Sequence, residues 1–206
     1  MPSRFWRSAR TNLRAADGDD AEQVLAIYAP LVGDTAISFE VTPPDANQMR
    51  QRIIHVMQRF PWLVAADGAR IHGYAYAAAH HTREAYAWSV DVSVYVAPEA
   101  QRTGMARALY TSLLELLETQ GYANAFAGIA LPNDASVALH ETLGFTRLGV
   151  YRDVGYKLGQ WWDVGWWQRR LPLPVTSSRP TAWPDLPDAA IAEALATGAS
   201  FLRNSR

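Results

Sequence analysis

Residues 90–122, VDVSVYVAPEAQRTGMARALYTSLLELLETQGY, carry two hydrophobic periods in succession. Valines 90, 92, 94 and 96 alternate with Asp91, Ser93 and Tyr95, the two-residue period of a strand with one apolar and one polar face. From 104 to 121 the apolar residues Ala106, Leu109, Leu113, Leu116 and Leu117 repeat at helical spacing, and Gly121 supplies the stop. Gln101, Arg102, Thr103 and Gly104 stand where the strand hands over to the helix. A helix start offers backbone N–H groups without partners and the positive end of a dipole, so such a junction can seat a phosphate. Gly104 permits close approach of an anion, and Gln101 and Arg102 add donors. The stretch matches neither the Walker nor the dinucleotide glycine pattern. On local physics alone an ordinary loop and helix start is as good a reading.

Outward from this junction the chain reads as mixed α/β with a strand-rich middle. A first strand over 10–16 precedes a helix over 17–32, where aspartates 17, 19 and 20 suit the start and Val24, Ile27, Tyr28 and Leu31 repeat at helical spacing. A second helix is expected over 45–60, then strands over 61–67, 70–80 and 84–97, antiparallel and joined by short turns at Asp67-Gly68 and near Thr82. After the 104–121 helix come a strand over 123–131, a helix over 133–145 capped by Asn133 or Asp134, and a closing hairpin over 146–171. Beyond Pro172 the chain is proline-rich and aperiodic, which places it on the surface, with a short helix over 188–202. Two parts follow: a domain over 1–172 and a C-terminal extension over 173–206.

At 206 residues, 49% of them apolar, the chain can close one sizeable core. Nineteen basic residues against twenty acidic ones give no broad electrostatic attraction to nucleic acid or an anionic membrane. The absence of cysteine rules out disulfides, thiolate metal sites and a cysteine acyl-enzyme. The basic start lacks an apolar run behind its charges, and no 18-residue apolar stretch exists, so a soluble cytoplasmic protein is expected.

The segment Gln101-Arg102-Thr103-Gly104-Met105-Ala106 behind a V-x-V strand resembles the Q/R-x-x-G-x-G/A signature of the GNAT superfamily of N-acetyltransferases. With 59–65, 83–96, 131–145 and 155–168, it makes residues 10–172 similar to the phosphinothricin acetyltransferase family. The resemblance implies the GNAT fold, a mixed, mostly antiparallel central sheet flanked by helices, with a splayed strand pair holding acetyl-CoA. It implies that residues 101–106 hold the cofactor's pyrophosphate, that Asn133 and Ser136 meet its pantetheine arm, and that backbone N–H groups near Val94, Tyr95 and Val96 meet the developing oxyanion.

An ammonium has no lone pair, so the acceptor amine needs a base before it attacks a thioester. Asp91, on the polar face of the strand, is the candidate; the resemblance places a Glu there more often, and Asp is shorter by one C–C bond, about 1.5 Å. One water can fill that gap. His140, ahead of Gly144-Phe145, takes the position of a proton donor to the departing thiol, and the lack of cysteine predicts direct transfer in a ternary complex. The resemblance also implies a small amino-acid-like acceptor with an anionic end, such as phosphinothricin, met by Arg83, Tyr86 and Lys157, with Phe39 and Glu40 lining the pocket, and a homodimer. Methionine sulfoximine or sulfone is an alternative acceptor. A non-catalytic acyl-CoA sensor and a protein N-terminal acetyltransferase are the readings from other classes.

His80 and His81 invite thought of a metal, but strand neighbours point to opposite faces and no second cluster accompanies them, so no metal is expected. The WWDVGWW run at 161–167 reads as packing, with one Trp of each pair toward the core and the other toward solvent or a partner.

Overall fold

The computed structural model of the protein describes residues 11–172 and 178–202. The first position expected in a strand, Arg10, and the tail positions 173–177 and 203–206 lie outside the described residues. Among the described residues seven strands form one sheet: β1 (Asn12–Ala15), β2 (Trp62–Asp67), β3 (Arg70–Ala79), β4 (Ser89–Val96), β5 (Asn124–Leu131), β6 (Thr146–Lys157) and β7 (Gln160–Arg170). Their order is β1-β2-β3-β4-β5-β7-β6, antiparallel throughout except for the β4–β5 pair. The helices are α1 (Ala21–Asp34), α2 (Ala46–Met57), α3 (Met105–Gln120), α4 (Asp134–Thr142) and α5 (Asp188–Ala199).

The alternation read from residues 90–96 sorts the two faces. Val90 and Val92 are buried on the α3 side with Leu109, Leu113, Leu116 and Leu117, each fully enclosed. Burying one such leucine contributes roughly 1.5–3 kcal/mol. On the opposite face Tyr95 packs edge-on against Tyr28 of α1, with ring centroids 5.4 Å apart, and tilts against Tyr74. Trp62 and Tyr76 extend this aromatic layer, their rings stacked at 4.3 Å. Strand β2 is buried on both faces, which explains why its sequence WLVAAD runs apolar without alternation.

Three expected boundaries shift. The strand expected over 84–97 begins only at Ser89, because Glu84–Tyr86 forms a 3-10 turn. Helix α2 stops at Met57, and α1 is preceded by its own 3-10 turn over Gly18–Asp20. Gly121 does end α3, in the left-handed region at φ 90°.

The proline-rich stretch is not wholly a surface segment. Trp183 and Leu186 are buried and α5 packs along α3, where the Ser112 hydroxyl donates to the Ala194 carbonyl at 2.8 Å. Periodicity could not announce this, because the covered surface belongs to a helix far away in sequence. At Gly198 a side chain would run into the Ser112 hydroxyl and the Ala108 carbonyl. We expect Gly198→Ala to cost about 1–3 kcal/mol through overpacking. Calorimetry should show a melting temperature lowered by several degrees with acetyl-CoA affinity unchanged.

Candidate active site

Strands β4 and β5 are paired only over Ser89↔Asn124, Val90↔Ala125 and Asp91↔Phe126. Beyond Asp91 they part, while β4 stays paired to β3 as far as Val96 and β5 to β7 as far as Leu131. Each strand is thus secured on its far edge, and the backbone groups of 92–96 that face β5 have no strand partner on that side. The β3–β4 register runs without a shift, so the opening is a splay and not a bulge. The cleft between the strands is lined by Val94, Tyr95, Ile129, Asn133, Ser136 and His140 among others.

At the wide end of this splay begins α3, the one helix start among the described residues with neither a side-chain cap nor an acidic residue in its first turn. Helices α2 and α4 have side-chain caps, Asp45 accepting from the Gln48 amide and Asn133 from the Ser136 amide. Helix α3 starts on Gly104 at φ 88°, with no side-chain cap and no acidic residue in its first turn. Arg102 is itself left-handed at φ 63°, and Thr103 ties back to the Ala100 carbonyl at 2.7 Å. An uncapped, acid-free helix start reached through a glycine suits an anion. These residues therefore suit the pyrophosphate of acetyl-CoA.

At the narrow end, Asp91 is the last β4 residue paired to β5. Its side chain is 38% exposed and its Oδ1 lies 2.7 Å from His80 Nδ1. Burial raises the Asp91 carboxyl above the ordinary aspartate range, against the pull of His80. The two neighbouring histidines do not point to opposite faces. Strand β3 ends at Ala79, and in the bend that follows the rings of His80 and His81 lie 4.2 Å apart. Sequence reasoning passed over His80 because the bend, not the strand period, aims it. Among the described residues no three His, Asp or Glu side chains gather as a metal would require.

His140 is buried and both its nitrogens are engaged. Nδ1 lies 2.7 Å from the Ser136 carbonyl, which only accepts, so Nδ1 carries the hydrogen. Nε2 is left to accept from the Tyr110 hydroxyl at 3.1 Å. In this tautomer His140 receives a hydrogen and Tyr110, which also lines the cleft, presents one. Burial lowers the His140 pKa from the ordinary 6.5, more than the Ser136 carbonyl raises it. A depressed folded-state value means stability is full above the unfolded pKa and is lost as pH falls through the folded one. We expect the melting temperature to drop as pH falls below about 6.5, with a limiting slope of about 1.4 kcal/mol per pH unit. Calorimetry of His140→Gln should show a flatter profile.

The expected acceptor residues do not converge on one cavity. Phe39 lines a recess with Tyr151, Val154 and Trp166, whereas Arg83 and Tyr86 line a groove with Phe60, His81 and Arg179. Glu40 is paired with Arg52 at 2.6 and 3.0 Å and accepts from the Tyr28 hydroxyl at 2.9 Å. Lys157 is 7% exposed and donates to the Ser38 carbonyl, so the hairpin lysine braces the loop before α2. Of the WWDVGWW run, Trp167 is buried and Trp161 is 60% exposed.

Strands that part beside an uncapped helix start, with a carboxylate at the parting, are the build of an N-acetyltransferase that draws its acyl group from acetyl-CoA. The chain belongs to the GNAT acetyltransferase family: residues 13–166 match the model described as acetyltransferase (GNAT) domain. It is 40% identical over 170 residues to the phosphinothricin N-acetyltransferase of Streptomyces viridochromogenes, covering 82% of this chain and 93% of that one. It is 35% identical over 171 residues to the L-methionine sulfoximine/L-methionine sulfone acetyltransferase of Pseudomonas paraeruginosa, covering 82% and 98%. The crystal structure of a GNAT superfamily phosphinothricin acetyltransferase from Sinorhizobium meliloti with acetyl-CoA superposes with a TM-score of 0.77. That protein is 33% identical, with 85% of this chain and 97% of that one covered. The protein is an acetyl-CoA-dependent N-acetyltransferase, and the non-catalytic sensor is not the reading these relatives favour.

Proposed function

We propose that the enzyme acetylates the amino group of a small amino-acid-like acceptor bearing a tetrahedral polar end, phosphinothricin first. The observation that carries this is Asp91 at the apex of the β4–β5 splay, on the sheet face opposite α3. The names of the relatives support the acceptor class, and those relatives include acetyltransferases of methionine sulfoximine, the second reading.

Acetyl-CoA, when bound, supplies an activated acetyl group on sulfur. Amides of Gly104, Met105 and Ala106, with Gln101, Arg102 and Thr103 beside them, hold the pyrophosphate. Asn133 and Ser136 guide the arm, and amides of Val94, Tyr95 and Val96 on the unpaired edge of β4 meet the negative charge that develops on oxygen. Asp91 belongs to the base that removes the ammonium proton. At the sulfur end His140 lines the cleft, its Nε2 accepting from the Tyr110 hydroxyl; a thiol leaves fairly well as thiolate, so little acid help is needed. Arg83 and Tyr86 are offered to the anionic end of the acceptor, and Phe39 to a separate recess. Glu40 and Lys157 support the loop that carries Phe39.

Tyr151, Tyr156, Leu158 and Trp161 leave an apolar surface on the β6–β7 hairpin, each more than half exposed. This surface supports a homodimer, the assembly the family resemblance implies. A cytoplasmic location and a part in resistance to toxic amino-acid analogues complete the reading. No helix among the described residues is long and apolar enough to cross a membrane.

The test is an acceptor panel with acetyl-CoA, reading released thiol. We expect phosphinothricin and methionine sulfoximine to lead in kcat/KM by at least about tenfold over common amino acids, since an unmet polar end costs roughly 1–3 kcal/mol. Turnover of neither overturns the acceptor class, and ping-pong kinetics overturns direct transfer.

A further inference from the structure

The proposed reaction, on which this inference rests, assigns the ammonium proton to a base at Asp91 without saying which atom takes it. The carboxylate does not face the acceptor side alone. His80 Nδ1 lies 2.7 Å from its Oδ1, and the imidazole is held in place by aromatic neighbours. It stacks on Phe126 with centroids 4.2 Å apart and planes 14° apart, and meets Trp166 edge-on at 6.1 Å. His81 and Tyr86 are further ring neighbours, at 4.2 and 6.0 Å. Phe126 is the β5 partner of Asp91, so the ring lies across the last rung before the strands part. The His80 side chain is 15% exposed, and its Nε2 makes no hydrogen bond to a described residue.

An ionised Asp91 can only accept, so Nδ1 carries the hydrogen and Nε2 keeps its lone pair. The same division of labour operates wherever a carboxylate orients a histidine that acts as base. The imidazole further accounts for the short aspartate: a ring on Oδ1 extends the base by more than the one C–C bond that a glutamate would have added.

We propose that His80, oriented by Asp91, takes the proton from the acceptor's ammonium. The proton passes to Nε2, and the freed nitrogen lone pair forms the N–C bond at the thioester carbonyl carbon. The C–S bond breaks, the nitrogen's second proton ends on the departing sulfur, and the imidazolium returns its proton to solvent.

The experiment compares His80→Asn and His80→Phe with the unaltered enzyme, using acetyl-CoA and phosphinothricin. Asparagine keeps a donor to Asp91 in the place of Nδ1 but has nothing in the place of Nε2; phenylalanine keeps only the stacking. Both should lose about 10²–10⁴-fold in kcat, the usual worth of a general base, with the acetyl-CoA Kd within about threefold. If His80 merely holds Asp91 in place, His80→Asn retains kcat within about threefold, and that result overturns the proposal. A second measurement needs no variant: 15N NMR of the histidine rings at neutral pH should show His80 hydrogen-bearing at Nδ1 and bare at Nε2. The opposite tautomer overturns the proposal whatever the variants do. Failure of the unaltered enzyme to turn over any amino acid would sink the acceptor reading instead, and the tautomer would still decide the His80–Asp91 arrangement.

Discussion

Asp91→Ala is expected to lower kcat by about 10²–10⁴-fold while the acetyl-CoA Kd stays within about twofold. The split follows from place: Asp91 sits at the narrow end of the splay, and the loop over 101–104, proposed to hold the cofactor, sits at the wide end. Removing the carboxylate takes away the acceptor that orients the His80 ring through Nδ1. Asp91→Glu should also fail, with a loss of at least about tenfold, because the added C–C bond of about 1.5 Å pushes the carboxyl into an imidazole already at hydrogen-bond distance. Steady-state kinetics beside isothermal titration with acetyl-CoA would check both variants. Recovery of full activity in Asp91→Glu would count against the arrangement of base and carboxylate proposed here.

Gly104→Val should act on the other substrate. Gly104 stands at φ 88° as the first residue of the α3 cap, a conformation that a β-branched residue reaches only under strain of about 1–3 kcal/mol. The added carbons also crowd the amides that follow. Losing one or two hydrogen bonds to a charged group, each worth roughly 1.5–3 kcal/mol, predicts an acetyl-CoA Kd about 10²-fold weaker. Gly121→Val is the matched control: it has the same hand, φ 90°, at the far end of the same helix. It should cost comparable stability and leave the Kd unchanged. Equal weakening by the two variants would mean that the helix start holds no anion.

Much of this site was legible before any coordinates. The alternation of Val90, Val92, Val94 and Val96 with Asp91, Ser93 and Tyr95 sorted the two faces, and the uncapped glycine start of α3 stood in the sequence as Gly104 after three polar residues. The stop at Gly121 and the cap at Asn133 were likewise local chemistry. The acceptor residues were not legible as a unit. Arg83, Phe39 and Lys157 come from separate segments, and the fold turns each toward different neighbours. The donor state of His140 depends on a carbonyl one helical turn back and on Tyr110 from another helix. The burial of Trp183 and Leu186 depends on where the tail docks.

By itself the sequence determined periods, caps and the residue types of the loop before α3, because these are set by forces acting within a few residues along the chain. Only the tertiary structure decided that β4 and β5 part after Asp91, that His80 bends back onto that carboxylate, and that α5 lies along α3. Those three outcomes join segments distant in the chain, and the packing that selects them is a sum over neighbours that no local pattern lists.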